Sequence, residues 1–177
     1  MTTILPYRDV ADDDDCRGDI DEIFFEASSV QEFANDDERS IFHWRWLGRY
    51  LADEPQHAFV ALRSNGGACG YVVGSLTDPA PRAEFSHLGY FVDFAHLTAT
   101  YPAHLHINVA SNCRNRRIGE ALVEAFVHHA AESGCSGLHV VTGEGMRNVG
   151  FYERLGFACQ GTAPWRSARV VLLGRKI

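Results

Sequence analysis

A chain of 177 residues has the length of a single domain and enough material for a sizeable core. With 46% hydrophobic and 22% charged residues it has the composition of an ordinary soluble globular protein. Its net charge of -7, with no basic face outside one arginine cluster, argues against a nucleic-acid partner.

Thr2 to Tyr7 reads as a short first strand. The acidic run Asp12 to Asp15 does not suit a calcium loop, because Arg17 and Phe24 fall where oxygen ligands are needed. It reads instead as the acidic start of a helix through DIDEIFFEAS. A second helix is expected from about Asp37 to Leu51, with Ile41, Trp44, Leu47 and Leu51 on one apolar stripe that Phe42, Trp46 and Tyr50 widen. Two strands, HAFVALRS and GACGYVVGSLT, are joined through Asn65-Gly66-Gly67, a hairpin signal. Asp78 to Ala103 is aromatic and poorly periodic, and suits either a binding loop or a covering segment with a short helix near Val92 to Leu97.

His104 to Gly134 is the stretch around which the chain is organised. Leu105, Ile107 and Val109 alternate with His104, His106 and Asn108 as in a strand. Ile118, Ala121, Leu122, Ala125, Phe126 and Ala130 recur on one helical face, and Gly134 is placed to end that helix. Between strand and helix, Arg114, Arg116 and Arg117 crowd the helix N-terminus, where the macrodipole is already positive and acidic residues are preferred. Three cations in that position point to a bound anion, which exposed backbone N–H groups would also hold. The strand GLHVVTG, a short helix in GMRNVGFYERLGF ended by Gly156, and the strand-like runs ACQGTAP and ARVVLLGRK complete the chain. The order of elements predicts a mixed α/β sheet with helices on both faces, in one domain over residues 1–177.

The five cysteines are scattered with no Cys-x-x-Cys spacing, as expected of reduced thiols in a cytoplasmic protein. No apolar run reaches the roughly 18 residues of a membrane span, and no basic-then-apolar signal opens the chain, so no membrane partner is expected. His128 and His129 are adjacent on a helix and face different ways, so no metal site is assigned.

RNRRIGEAL after one strand and FYERLGF after the next resemble the GNAT (Gcn5-related N-acetyltransferase) family. The family's phosphate motif, Gln/Arg-x-x-Gly-x-Gly/Ala, corresponds to Arg114 through Gly119, with Arg117 in place of the first glycine. In the late helix Phe151-Tyr152 and Leu155-Gly156-Phe157 match, while Gly145 and Asn148 stand where the family often has Asn and Ala. His104-Leu105-His106 is similar to the paired histidines of arylalkylamine N-acetyltransferases, and TYPAHLHINV to the acetyltransferase-like domain associated with O-GlcNAcases. The resemblance covers roughly Phe59 to Gly161.

It implies a mostly antiparallel sheet of about seven strands and acetyl transfer from acetyl-CoA to the amine of a small molecule. It places pantetheine along Ile107, Asn108 and Val109, and pyrophosphate on Arg114, Asn115, Arg116, Arg117, Ile118, Gly119 and Glu120, with Asn148 and Phe151 beside the cofactor. His106 or His104 is the expected base, since an imidazole with a pKa of about 6.5 suits proton abstraction near neutrality. Tyr152 is the expected proton donor to the departing thiolate. The departures at Arg117 and Gly145 leave open a non-catalytic CoA-binding sensor, and a homodimer is an open alternative to a monomer.

Overall fold

The computed structural model describes residues 2–177. In chain order it contains β1 (Thr2–Pro6), α1 (Asp14–Ala27), α2 (Asp36–His43), a π-helical turn (Trp44–Gly48), α3 (Arg49–Asp53), β2 (Phe59–Arg63), β3 (Ala68–Ser75), α4 (Tyr90–Thr98), β4 (Ala103–Val109), α5 (Ile118–Glu132), β5 (Gly137–Gly143), α6 (Asn148–Arg154), β6 (Ala158–Trp165) and β7 (Ala168–Lys176). Among the described residues, seven strands are hydrogen-bonded in the order β1-β2-β3-β4-β5-β7-β6. The β1–β2, β2–β3, β5–β7 and β6–β7 pairs are antiparallel and β4–β5 is parallel, which is the mixed, mostly antiparallel sheet expected from the sequence. The chain divides into two compact units, residues 1–75 with 106–128 and residues 76–105 with 129–177, and β4 and α5 each contribute to both.

In the first unit the acidic run does what a helix start needs. The Asp13 carboxylate accepts from the backbone N–H groups of Asp15 and Cys16, capping α1, whose inner face buries Cys16, Ile20, Ile23 and Phe24. The hairpin turns where expected, with Gly66 at a φ of 91° and the Arg63 N–H donating to the Gly67 carbonyl at 2.8 Å. β3 is buried along its whole length. Gly70 lets it lie close to β4, since a Cβ there would meet the Asn108 carbonyl oxygen and Leu122 at 3.1 Å.

The helix expected over Asp37–Leu51 is the element that departs most from the sequence reading. It is broken by the π-helical turn at Trp44–Gly48. One extra residue in a turn rotates everything after it by about 100° relative to a continuous α-helix. The stripe counted at 3.6 residues per turn therefore does not form. Ile41 and Trp44 are 59% and 52% exposed, while Leu47 and Tyr50 are buried.

In the second unit α4 fills the segment that the sequence left as either loop or cover. Phe85, Tyr90, Phe91 and Phe94 are buried, and Leu97 and Phe94 lie over Gly161 of β6. These aromatics belong to the core. α5 ends in this unit at Gly134, with a φ of 81°, where the Cys135 N–H reaches back to the Ala130 carbonyl and Gly134 N–H to Ala131. Tyr101 lies against the sheet where glycine leaves room: a Cβ at Gly137 or Gly174 would come within 2.9 Å of its ring. The Tyr101 carbonyl in turn accepts from Nδ1 of the fully buried His139 at 2.5 Å.

That bond fixes the proton on Nδ1, and Nε2 of His139 has no hydrogen-bond partner among the described residues. Burial pushes the imidazole pKa down to about 4, against smaller upward contributions from the Tyr101 bond and the Asp78 charge. The unfolded chain thus takes up a proton near pH 6.5 that the folded protein refuses until about pH 4. Stability from this residue is complete above pH 6.5 and declines as pH falls through that window, by roughly 3 kcal/mol in all. Urea unfolding of wild type and His139→Asn, which keeps a donor for Tyr101, should show the wild type losing stability more steeply on acidification. Equal pH slopes would contradict this account.

Candidate active site

β4 delivers the candidate residues. Its last four residues, in the first unit, are half-exposed. Nε2 of His106 lies 3.2 Å from the Tyr50 hydroxyl, and the Trp46 ring meets the imidazole edge-on with centroids 5.5 Å apart. Tyr50 is 3% exposed, so the phenol is a fixed part of the fold. Asn108 donates through Nδ2 to the hydroxyl of Tyr71 at 2.7 Å, and burial holds that phenol protonated well above its ordinary range.

After β4 the chain is tied down before it reaches the arginines. The Ala110 N–H donates to the Cys69 carbonyl, and the Ser111 N–H to the Glu26 carboxylate at 3.0 Å. The bonds from Ser111, helped by the Arg114 charge, hold the Glu26 carboxyl below its usual range. Arg114 folds back to donate through Nε to the Val109 carbonyl at 3.2 Å. Asn115 and Arg117 then take left-handed backbone, at φ of 62° and 60°. Arg117 thus adopts a left-handed conformation that glycine would take without strain, at a steric cost of roughly 1 kcal/mol. Its carbonyl accepts from the Ala121 N–H, so the amides of Ile118, Gly119 and Glu120 occupy the helix's first turn, which lacks intrahelical acceptors. Ile118 is buried and anchors the turn, while the side chains of Arg114, Asn115, Arg116 and Arg117 are exposed. Three guanidinium groups beside first-turn amides form a donor set suited to a polyanion.

The second unit holds the remaining candidates. His104 is buried, with its ring 5.2 Å from that of Phe85 and 5.6 Å from that of His139. The two histidines of His-x-His therefore have different surroundings: one is packed among rings in the core and the other is half-exposed against a phenol. Tyr152 is buried between Phe151 and Phe157, with centroids at 5.1 and 5.5 Å. Burial raises its pKa far above the ordinary phenol value, so it is a protonated donor at neutral pH. Its backbone carbonyl accepts from Leu155 and Phe157, which with Gly156 at a φ of 81° ends α6. Asn148, at the start of α6, accepts from the Thr142 hydroxyl at 2.9 Å.

Tyr50 and Trp46 contact the candidate His106, whereas the sequence places both on the flank of an apolar stripe. The π turn decides where they point. A further feature missed was a groove of about 630 Å³ in the first unit, lined in part by Phe25, Phe33, Glu32, Asp36 and Arg39. The Arg39 guanidinium sits 3.6 Å over the Phe25 ring, showing that this aromatic face accepts a cation.

The Acetyltransferase (GNAT) family model matches residues 18–157. Among solved structures, the chain is similar to SsHAT at 24% identity, with a TM-score of 0.74 over 99% of this chain and 98% of that one. It is similar to an N-acetyltransferase from Staphylococcus aureus Mu50 at 14% identity, with a TM-score of 0.65 over 99% and 98% of the two chains. A chain of the NatC complex bound to Gag peptide and CoA gives 15% identity and a TM-score of 0.65 over 100% and 98%.

The left-handed backbone at Arg117 has a measurable consequence. Arg117→Gly should leave stability within about 1 kcal/mol, because relief of steric strain is offset by the greater freedom of the unfolded chain. Arg117→Val should lose about 2 kcal/mol, since a β-branched residue resists this conformation. Urea midpoints of the two variants decide it, and a stable valine variant would contradict the assigned backbone.

Proposed function

Because the chain belongs to the GNAT acetyltransferase family, we propose that it is an acetyl-CoA-dependent N-acetyltransferase acting on the amine of a small molecule. The observation that carries this reading is a half-exposed imidazole, His106, held against Tyr50 on the strand that runs into the arginine loop. The donor chemistry of that loop fits coenzyme A. Arg114, Asn115, Arg116 and Arg117, with the first-turn amides of Ile118, Gly119 and Glu120, would hold its pyrophosphate. The β4 backbone at Ile107, Asn108 and Val109 would hold its pantetheine, with Asn148 and Phe151 of α6 as further contacts. When bound, acetyl-CoA supplies the acetyl group as a thioester.

The chain's own residues handle protons. His106 takes the proton that the acceptor amine must lose before it is acylated. Tyr152, kept protonated by burial, donates a hydrogen bond and then a proton at the coenzyme sulfur. Of the two strand histidines we assign the base to His106, because His104 is packed inside the core. The sensor alternative rests on Arg117 and Gly145. At Arg117 the backbone takes a left-handed turn that glycine would also take, which supports the enzyme reading at that position, while the departure at Gly145 stands.

His106→Ala should lower kcat/KM by about 10²–10⁴-fold, as expected for loss of a general base, and Tyr152→Phe should lower kcat with a native circular-dichroism spectrum. Full turnover in both variants would overturn the assignments. Thiol release across aryl amines, polyamines, amino sugars, amino acids and peptides tests the acceptor class; turnover confined to peptides would reject the small-molecule reading.

Loss of a charged donor to phosphate is worth about 1.5–3 kcal/mol. Arg116→Ala should therefore weaken CoA binding at least tenfold by calorimetry, with the deficit shrinking at high salt. Unchanged affinity would take the pyrophosphate off this loop.

A further inference from the structure

We infer that Glu26, in the last turn of α1, is a positioning residue that sets the arginine loop for the coenzyme pyrophosphate, a role that rests on that loop being the phosphate site. A carboxylate in the last turn of a helix faces the negative end of the macrodipole, and α1 has no basic residue there to offset it. Glu26 is thus unfavourable for its own helix, as the three arginines are for theirs. The carboxylate serves the loop instead. It accepts from the Ser111 N–H at 3.0 Å, and the Ser111 hydroxyl donates to it as well.

Ser111–Cys113 is a single 3₁₀ turn, closed by the bond from the Cys113 N–H to the Ala110 carbonyl at 2.9 Å. The N–H that opens such a turn has no acceptor within it. The capping residue, Ala110, has no side chain to offer, and Glu26 supplies the acceptor from 85 residues away. Arg63, at the end of β2, donates to the Ala68 carbonyl at 2.8 Å and to Oδ1 of Asn112 at 3.4 Å. The Ala110 N–H donates to the Cys69 carbonyl at 3.0 Å. The turn is therefore held at Ala110 by β3, at Ser111 by α1 and at Asn112 by β2.

Two of the three residues that follow Arg114 take left-handed backbone, a conformation that persists only where the surroundings impose it. A turn fixed at Ser111 imposes it from the β4 side and keeps the loop in one shape before coenzyme arrives. The apparent affinity scales with the fraction of molecules in that shape. Glu26 acts through the Ser111 backbone and need touch neither coenzyme nor acceptor.

The test compares Glu26→Ala with Glu26→Gln in the full chain. Both remove the charge, but only glutamine keeps a side-chain oxygen that accepts from Ser111, so their difference reads the hydrogen bonds alone. By calorimetry Glu26→Ala should bind CoA about fivefold more weakly than Glu26→Gln. Amide NMR should find the Ser111 N–H proton downfield in wild type and moved upfield in Glu26→Ala, with other changes confined to residues 110–117 and the end of α1. Equal CoA affinity of the two variants overturns the proposal. A wild-type Ser111 amide with no downfield shift overturns it whether or not the variants fold. Arg116→Ala is the control that separates the two failures. If it leaves CoA binding unchanged, the phosphate-site reading falls and the role of Glu26 falls with it. If it weakens binding while the two Glu26 variants match, only the role of Glu26 falls.

Discussion

The constraint on which the rest depends is the continuity of β4. Side chains on a strand alternate, so His104 and His106 must project to one face and Leu105 and Ile107 to the other. The strand changes character along its seven residues, from buried at Ala103–Leu105 to half-exposed at His106–Val109. The first histidine meets other rings in a packed interior and the second meets a hydroxyl. One period of the strand thus moves the same residue type from the packed core to a half-exposed position beside a hydroxyl. The strand then has to become a helix within a few residues, and the left-handed positions at Asn115 and Arg117 do this.

Much of this was legible because it is written in local chemistry. Asp13 caps α1, Gly66 turns the hairpin, and Gly134 and Gly156 close α5 and α6; each signals through its own steric or hydrogen-bonding preference. The arginines at the start of α5 suggest an anion site in the sequence because they contradict the macrodipole, and the structure leaves their side chains exposed. What could not be read is whatever depends on helix phase or on distant partners. Under a 3.6-residue count Trp44 belongs to the apolar stripe and Trp46 only widens it, yet Trp44 is exposed and Trp46 packs on His106. Nothing in WRWLG announces the additional residue in the turn. The Tyr101–His139 bond is equally silent in sequence, since it joins residues 38 apart.

The aromatic run from Phe85 to Tyr101 suits a binding loop or a covering helix on sequence alone, and the structure shows the covering helix. Those rings pack on one another and on small residues of the sheet, and Tyr90 meets Trp165 edge-on at 4.9 Å. A dense run of aromatics with weak periodicity suggests a ligand surface only when something leaves it uncovered. Here α4 folds the run inward, because Phe91 and Phe94 need burial more than the segment needs to remain a loop.

Arg117 shows how sequence departure and structural conformity coexist. Glycine at this position would supply the left-handed turn without steric cost but would bring no charge. Arginine supplies the same turn at roughly 1 kcal/mol and places a guanidinium beside first-turn amides already suited to phosphate. A residue that is unfavourable for the backbone and unfavourable beside a helix N-terminus is doubly disfavoured in the absence of an anion. This loop thus makes, with an arginine, the left-handed turn that glycine adopts freely.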